Sequence, residues 1–196
     1  MHEDACAAWL LETAAREAVS AFAFEDVGKC LGELGLAELA RACERAAHEE
    51  RLHAALLGEL LHERGLTPLE VHVFAPKQRT LVDLAADNAR EGCVREAFGA
   101  LVARHQAAHA KDARLAAVLD TIATDEAGHA ELSHRIHDAL WARLSAQERR
   151  QVLAARAEAM ASLAGDCANA HGSSLLGHPE ASTMVVLFER FAALAA

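Results

Sequence analysis

The chain contains no tyrosine, and among its 196 residues there are only 3 prolines, 11 glycines and 4% aromatics. So few breakers in a chain that is 53% hydrophobic and rich in alanine favour an all-helical protein. Without a phenol the chain cannot harbour a tyrosyl radical. It also lacks any C-x-x-C pair: Cys6, Cys30, Cys43, Cys93 and Cys167 are scattered and odd in number. That spacing argues against a disulfide framework and against a thiolate zinc or iron–sulfur set, and a reduced, cytoplasmic setting is expected. A basic excess is missing too. Nineteen Lys and Arg against 29 Asp and Glu give a net charge of -10, which provides no footprint for a phosphate backbone, so nucleic acid is not an expected partner. No apolar run approaches the ~20 residues of a membrane span. The opening "MHEDACAAWLLETAAREAV" has acids where a signal peptide has bases, so neither a leader nor a membrane association is expected.

What is present is helical periodicity. A first helix is expected from about Glu3 to Val27, ending in the glycine-spaced "GKCLGELG". A second runs from about Leu36 to Arg64, stopped by Gly65 with Pro68 beyond. The stretch "LTPLEVHVFAPKQR", with Pro68 and Pro76, has no helical period and is too long for a tight hairpin. Thr80 with Asp83 resembles a capping box opening a third helix that reaches about His109. Asp112 caps a fourth, to about Leu144, and Ser145 with Glu148 opens a fifth, to about Gly165. A loop, "HGSSLLGHPEAS", and a short apolar helix complete the chain. Four long helices with short, long and short connections describe a four-helix bundle of two hairpins joined by one crossover, residues 1–144, with residues 145–196 as a helical extension of the same domain.

The polar residues that interrupt the apolar stripes carry the chemistry. In "HEERLH", Glu50 and His53 fall in line with Cys43, Ala46, Ala47, Ala54, Leu57 and Leu61. Burying a carboxylate there is costly without a partner. Glu126 and His129 repeat the spacing in "DEAGHA", where Glu126 lies among Leu119, Ile122, Ala123 and Ala130. Each Glu-x-x-His is preceded by a further stripe glutamate: Glu17, 33 residues before Glu50, and Glu91, 35 residues before Glu126. Glu17 is aligned with Leu10, Ala14, Ala21 and Phe24, and Glu91 with Leu84, Val94, Phe98 and Val102. "AREAVSAF" around Glu17 is echoed by "AREGCVREAF" around Glu91, so an internal duplication is the simplest reading. Residues three apart share a helix face, so each Glu-x-x-His can hold one ion. Four carboxylates and two imidazoles, Glu17, Glu50, His53, Glu91, Glu126 and His129, then form a di-metal site suited to iron or manganese.

The Glu-x-x-His spacing alone is weak evidence in a chain with 12 histidines, and it occurs twice more. Glu59 with His62 points about half a turn away from Glu50. Glu131 with His134 is rotated by about 140° from Glu126, and Arg135 follows as an ion-pair partner. Both pairs are expected at the surface, as charged residues ordinarily are. On the first helix Glu12 has Arg16 one turn on and reads as a surface pair, which leaves Glu17 as the inward glutamate.

On "AREAVSAF", "HEERLHA", "AREGCVREAF" and "DEAGHAELSH", residues 9 to 143 resemble the ferritin-like superfamily, in particular compact bacterial ferritin-like and rubrerythrin-like proteins. The resemblance implies two Fe ions, or Mn or a mixed pair, held by those six residues, which are also the catalytic ones. It implies Asp125 and Glu49 as outer partners accepting the distal N–H of His53 and His129. It further implies an oxidoreductase acting on O2 or peroxide, of ferroxidase, peroxidase or oxygenase type, in a homodimer. The alternative is an iron-binding or storage module without turnover. Three departures qualify the match. No rubredoxin module follows, so electrons would come from a separate donor. Val94 stands where rubrerythrins tend to have an extra glutamate. The absence of tyrosine excludes a radical generator like the ribonucleotide reductase small subunit.

Overall fold

The computed structural model describes residues 2–73 and 79–194. Among them the structure is all-helical, with no strand and one isolated bridge between Ser173 and His178. None of these helices is long and apolar enough to cross a membrane. The chain forms two compact units, Met1–Lys77 and Gln78–Ala196. The division falls in the crossover, and the boundary expected at 144/145 lies inside the second unit. Pro76, expected in that crossover, lies outside the described residues.

The first unit is a hairpin of α1 (His2–Glu33) and α2 (Ala37–Glu63). Helix α1 does not stop at Val27 but runs through Gly28 and Gly32. A glycine inside a helix costs about 0.5–1 kcal/mol relative to alanine, and close packing supplies the reason at Gly28. A Cβ placed there would meet Cys43 Cβ at 3.1 Å and Ala40 O at 3.3 Å, so its absence lets α1 and α2 approach. The turn follows from Gly35 at φ 75°, a left-handed residue that lets Leu36 N–H reach Leu31 O at 2.9 Å and its own N–H reach Gly32 O at 3.0 Å. Gly65 ends α2 by the same device, with Leu66 N–H to Leu61 O at 3.0 Å and Gly65 N–H to His62 O at 2.9 Å.

The second unit begins with α3 (Leu81–Arg90), opened by the expected box: Thr80 accepts from Asp83 N–H, and the Asp83 carboxylate accepts from Thr80 N–H. Hydrogen bonding to Thr80 holds the Asp83 carboxyl below its ordinary range. The helix then widens into a π-helical segment, Glu91–Glu96, before continuing as α4 (Ala97–His109). Asp112 caps α5 (Ala113–Trp141) through the N–H groups of Arg114 and Leu115. Ser145 and Glu148 box the start of α6 (Ala146–Ala168), and α7 (Ala181–Leu194) follows. Phe98 anchors the core that α6 and α7 cover. Its ring lies 5.7 Å from that of Phe191 and 6.2 Å from that of Phe188, with Val94, Ala159, Cys167 and Met184 in the same cluster. The loop before α7 is pinned to the end of α4: Gln106 Nε2 donates to Leu176 O at 3.2 Å, and Lys111 N–H donates to Leu175 O at 3.3 Å.

Candidate metal centre

In the first unit the apolar stripes of α1 and α2 bury three polar side chains together. Glu17 sits between Ala14 and Ala21, all buried. Glu50 and His53 lie between Ala46 and Leu57, and both are fully buried at 0% exposure. His53 Nδ1 is 3.4 Å from Glu17 Oε2 and 3.7 Å from Glu50 Oε2. These separations exceed the usual hydrogen-bond range of about 2.7–3.2 Å. The 3.4 Å separation fits two ligands of one ion, since donors each about 2.1 Å from a metal at angles near 90–110° lie roughly 3.0–3.5 Å apart, and the 3.7 Å one is slightly wider. Glu17, Glu50 and His53 thus each offer a ligand atom, all within 4.8 Å of one another. Two carboxylates with one imidazole form an oxygen-rich set that could hold a metal ion.

In the second unit, α5 repeats half of this geometry. His129 Nδ1 is 3.6 Å from Glu126 Oε2, against 3.7 Å for the matching pair on α2, and both side chains are buried. The sequence echo between "HEERLH" and "DEAGHA" is therefore an echo of side-chain placement. The surface pairs fall as expected. Glu12, Glu59, His62, Glu131 and His134 are all exposed. Asp125 and Glu49 are half-buried beside their glutamates.

Glu91 departs from expectation. Its side chain is 58% exposed, with Oε2 3.6 Å from Arg95 Nε one turn along. The stripe on which the sequence placed it is real, but Val94 and Phe98 pack into the core shared with α6 and α7. The π-helical segment begins at Glu91 itself and breaks the 3.6-residue register from which the alignment was drawn. Periodicity could not foresee that shift.

The same register change brings forward residues that the sequence reading passed over. A Cβ at Gly92 would lie 2.4 Å from Ser133 Oγ and 2.7 Å from Ser133 Cβ, so only glycine lets the π-helical segment abut α5 there. Asn88, buried on α3, donates from Nδ2 to Ser133 O at 2.9 Å, and the Cys93 thiol reaches the same carbonyl at 3.5 Å. Ser133 stands one turn beyond His129, so Asn88 and Gly92 fix the wall beside that imidazole. The G-C pair inside "AREGCVREAF" was the available signal, since a glycine within a helical pattern asks for a packing reason.

No family model, curated protein or solved structure matches the chain.

Proposed function

We propose that the chain is a ferritin-like, non-haem di-metal carboxylate protein, holding iron or manganese, that acts as an oxidoreductase on O2 or peroxide. The observation that carries this reading is the convergence of Glu17, Glu50 and His53 in a core otherwise made mostly of leucine, alanine and cysteine. Two buried carboxylates and an imidazole at ligand spacing have no inexpensive structural role, because each carboxylate must be neutralised to stay there. The matched Glu126 and His129 support a second position, on the second unit.

In this reading Glu17, Glu50 and His53 hold one ion, and Glu126 with His129 holds the other. When bound, such a pair supplies the two electrons by which O2 is reduced to the level of peroxide, or H2O2 to water. His53 and His129 face their glutamates through Nδ1, which leaves Nε2 as the nitrogen that would carry the proton when Nδ1 holds metal. Leu57 and Ala21, each one turn along the stripe from a ligand, exclude water on that side. These 196 residues contain no C-x-x-C pair, so reducing equivalents come from outside them.

The test is stopped-flow absorbance of the Fe(II)-loaded protein mixed with O2 or H2O2. A burst consuming two irons per oxidant, followed by a stall until reductant or more Fe(II) is added, is the expected result. Oxidation no faster than that of Fe(II) in buffer would overturn the oxidoreductase reading in favour of an iron-binding or storage module.

A further inference from the structure

Each hairpin is expected to bring one lone glutamate to its Glu-x-x-His, but the structure treats the two differently. In the first, Glu17 is buried and within 3.4 Å of His53, so three donors already stand around one point. In the second, Glu126 and His129 are in place, while Glu91 is turned out to Arg95 at 3.6 Å. Resting on the di-metal reading above, we infer that the two positions are unequal, and that Arg95 is a positioning residue that competes with the metal for Glu91.

The neighbouring Gly92 abuts α5 at Ser133, one turn past His129, so Glu91 is carried on the segment that flanks the second imidazole. The carboxylate has a long, rotatable stem and is held only by an exposed ion pair. Pairs of that kind contribute about 0–1 kcal/mol, far less than a buried one. Glu91 would leave Arg95 to join Glu126 and His129 if an ion were bound there. The first position needs no such rearrangement, because preorganised ligands avoid the cost of ordering on binding. The first equivalent of metal binds tightly and the second weakly, and the gap is set in part by the guanidinium.

The experiment is calorimetric titration of the whole, metal-free chain with Mn(II), repeated with Co(II) so that visible absorbance reports each site. Two steps are expected, the second weaker by at least about tenfold, the lower end of what an ill-supported ligand costs. Arg95→Gln should tighten only the second step. Glu91→Gln should weaken only the second, and Glu17→Gln should weaken the first. Two equal steps in the native chain, or no response of the second step to Arg95→Gln, would overturn the inference while leaving the di-metal reading intact. Absence of any binding would instead overturn the di-metal reading. Circular dichroism of each variant separates lost binding from lost folding.

Discussion

His53 Nδ1 on α2 stands 3.4 Å from Glu17 Oε2 on α1, so the hairpin brings a potential ligand from each helix to a single point. That register is set at a distance. Gly28 admits Cys43 where a Cβ would crowd it, and the Gly35 turn fixes where α2 begins. The site depends on the hairpin's small residues as much as on its ligands.

Burial should separate the two kinds of Glu-x-x-His in a single comparison. Glu50→Gln should lose the bound metal of the first position, whereas Glu59→Gln, nine residues on and exposed, should retain it at native stoichiometry. In the metal-free protein Glu50→Gln should also melt higher than the parent, because it removes a carboxylate from a fully buried position. Metal analysis after gel filtration and a thermal melt check both halves. Equal metal loss in both variants would contradict the assignment.

Metal should stabilise the native chain by mass action. At a free concentration 100 times the dissociation constant the gain is about 2.7 kcal/mol. Differential scanning fluorimetry with and without Mn(II) should show the melt rising with concentration, and a Glu17→Gln, Glu50→Gln double variant should keep only the smaller rise that the Glu126 and His129 position contributes.

Two glycines seven residues apart should respond in opposite ways to alanine. At Gly92 the new methyl meets Ser133 at 2.4–2.7 Å, and overpacking of this kind costs about 1–3 kcal/mol. Gly99, on α4, has nothing within 4 Å, so Gly99→Ala should stabilise by about 0.5–1 kcal/mol through helix propensity. Urea denaturation of the two variants measures both signs, and Ser133→Gly should restore part of the loss at Gly92.

The metal-free protein should weaken as it is acidified, even with its ligand histidines set aside. Burial pushes His137 below its ordinary value of 6.5, against the opposing pull of Asp138, and burial with repulsion from His109 and His178 does the same to His105. A histidine whose folded value is depressed stabilises the protein fully above 6.5, and that contribution is lost as pH falls through the folded value. Urea midpoints should therefore fall from pH 7 to pH 5. The fall should be shallower in His137→Gln, and identical slopes would show that burial does not depress His137.

Much of this was legible in the sequence because capping chemistry is local. Thr80, Asp112 and Ser145 announce their helices within three residues, and each does so in the structure. The buried Glu-x-x-His pairs were separable from their exposed copies by the 3.6-residue period alone. That period failed where backbone geometry changed. Gly28 and Gly32 read as a helix end, but packing against α2 carries α1 through them to Glu33. Glu91 read as an inward ligand, but a π-helical turn starts at that residue. Both are tertiary effects, in which a neighbouring helix overrides the local pattern.

Cys43 lies on the stripe of Glu50, two turns before it, and burial pushes its thiol up to about 12, with Glu44 adding to the shift. Cys93, beside Ser133, is pushed up to about 11 by burial as well. Only the thiolate attacks oxidants and alkylating agents, so both sulfurs are chemically quiet at neutral pH. Under the proposed reading, in which oxygen or peroxide reaches the interior, the neighbours of the centre must resist oxidation, and these two buried thiols meet that need while the fold stays closed. Their silence ends when a helix opens, which makes their labelling rate a clock for the breathing of the core.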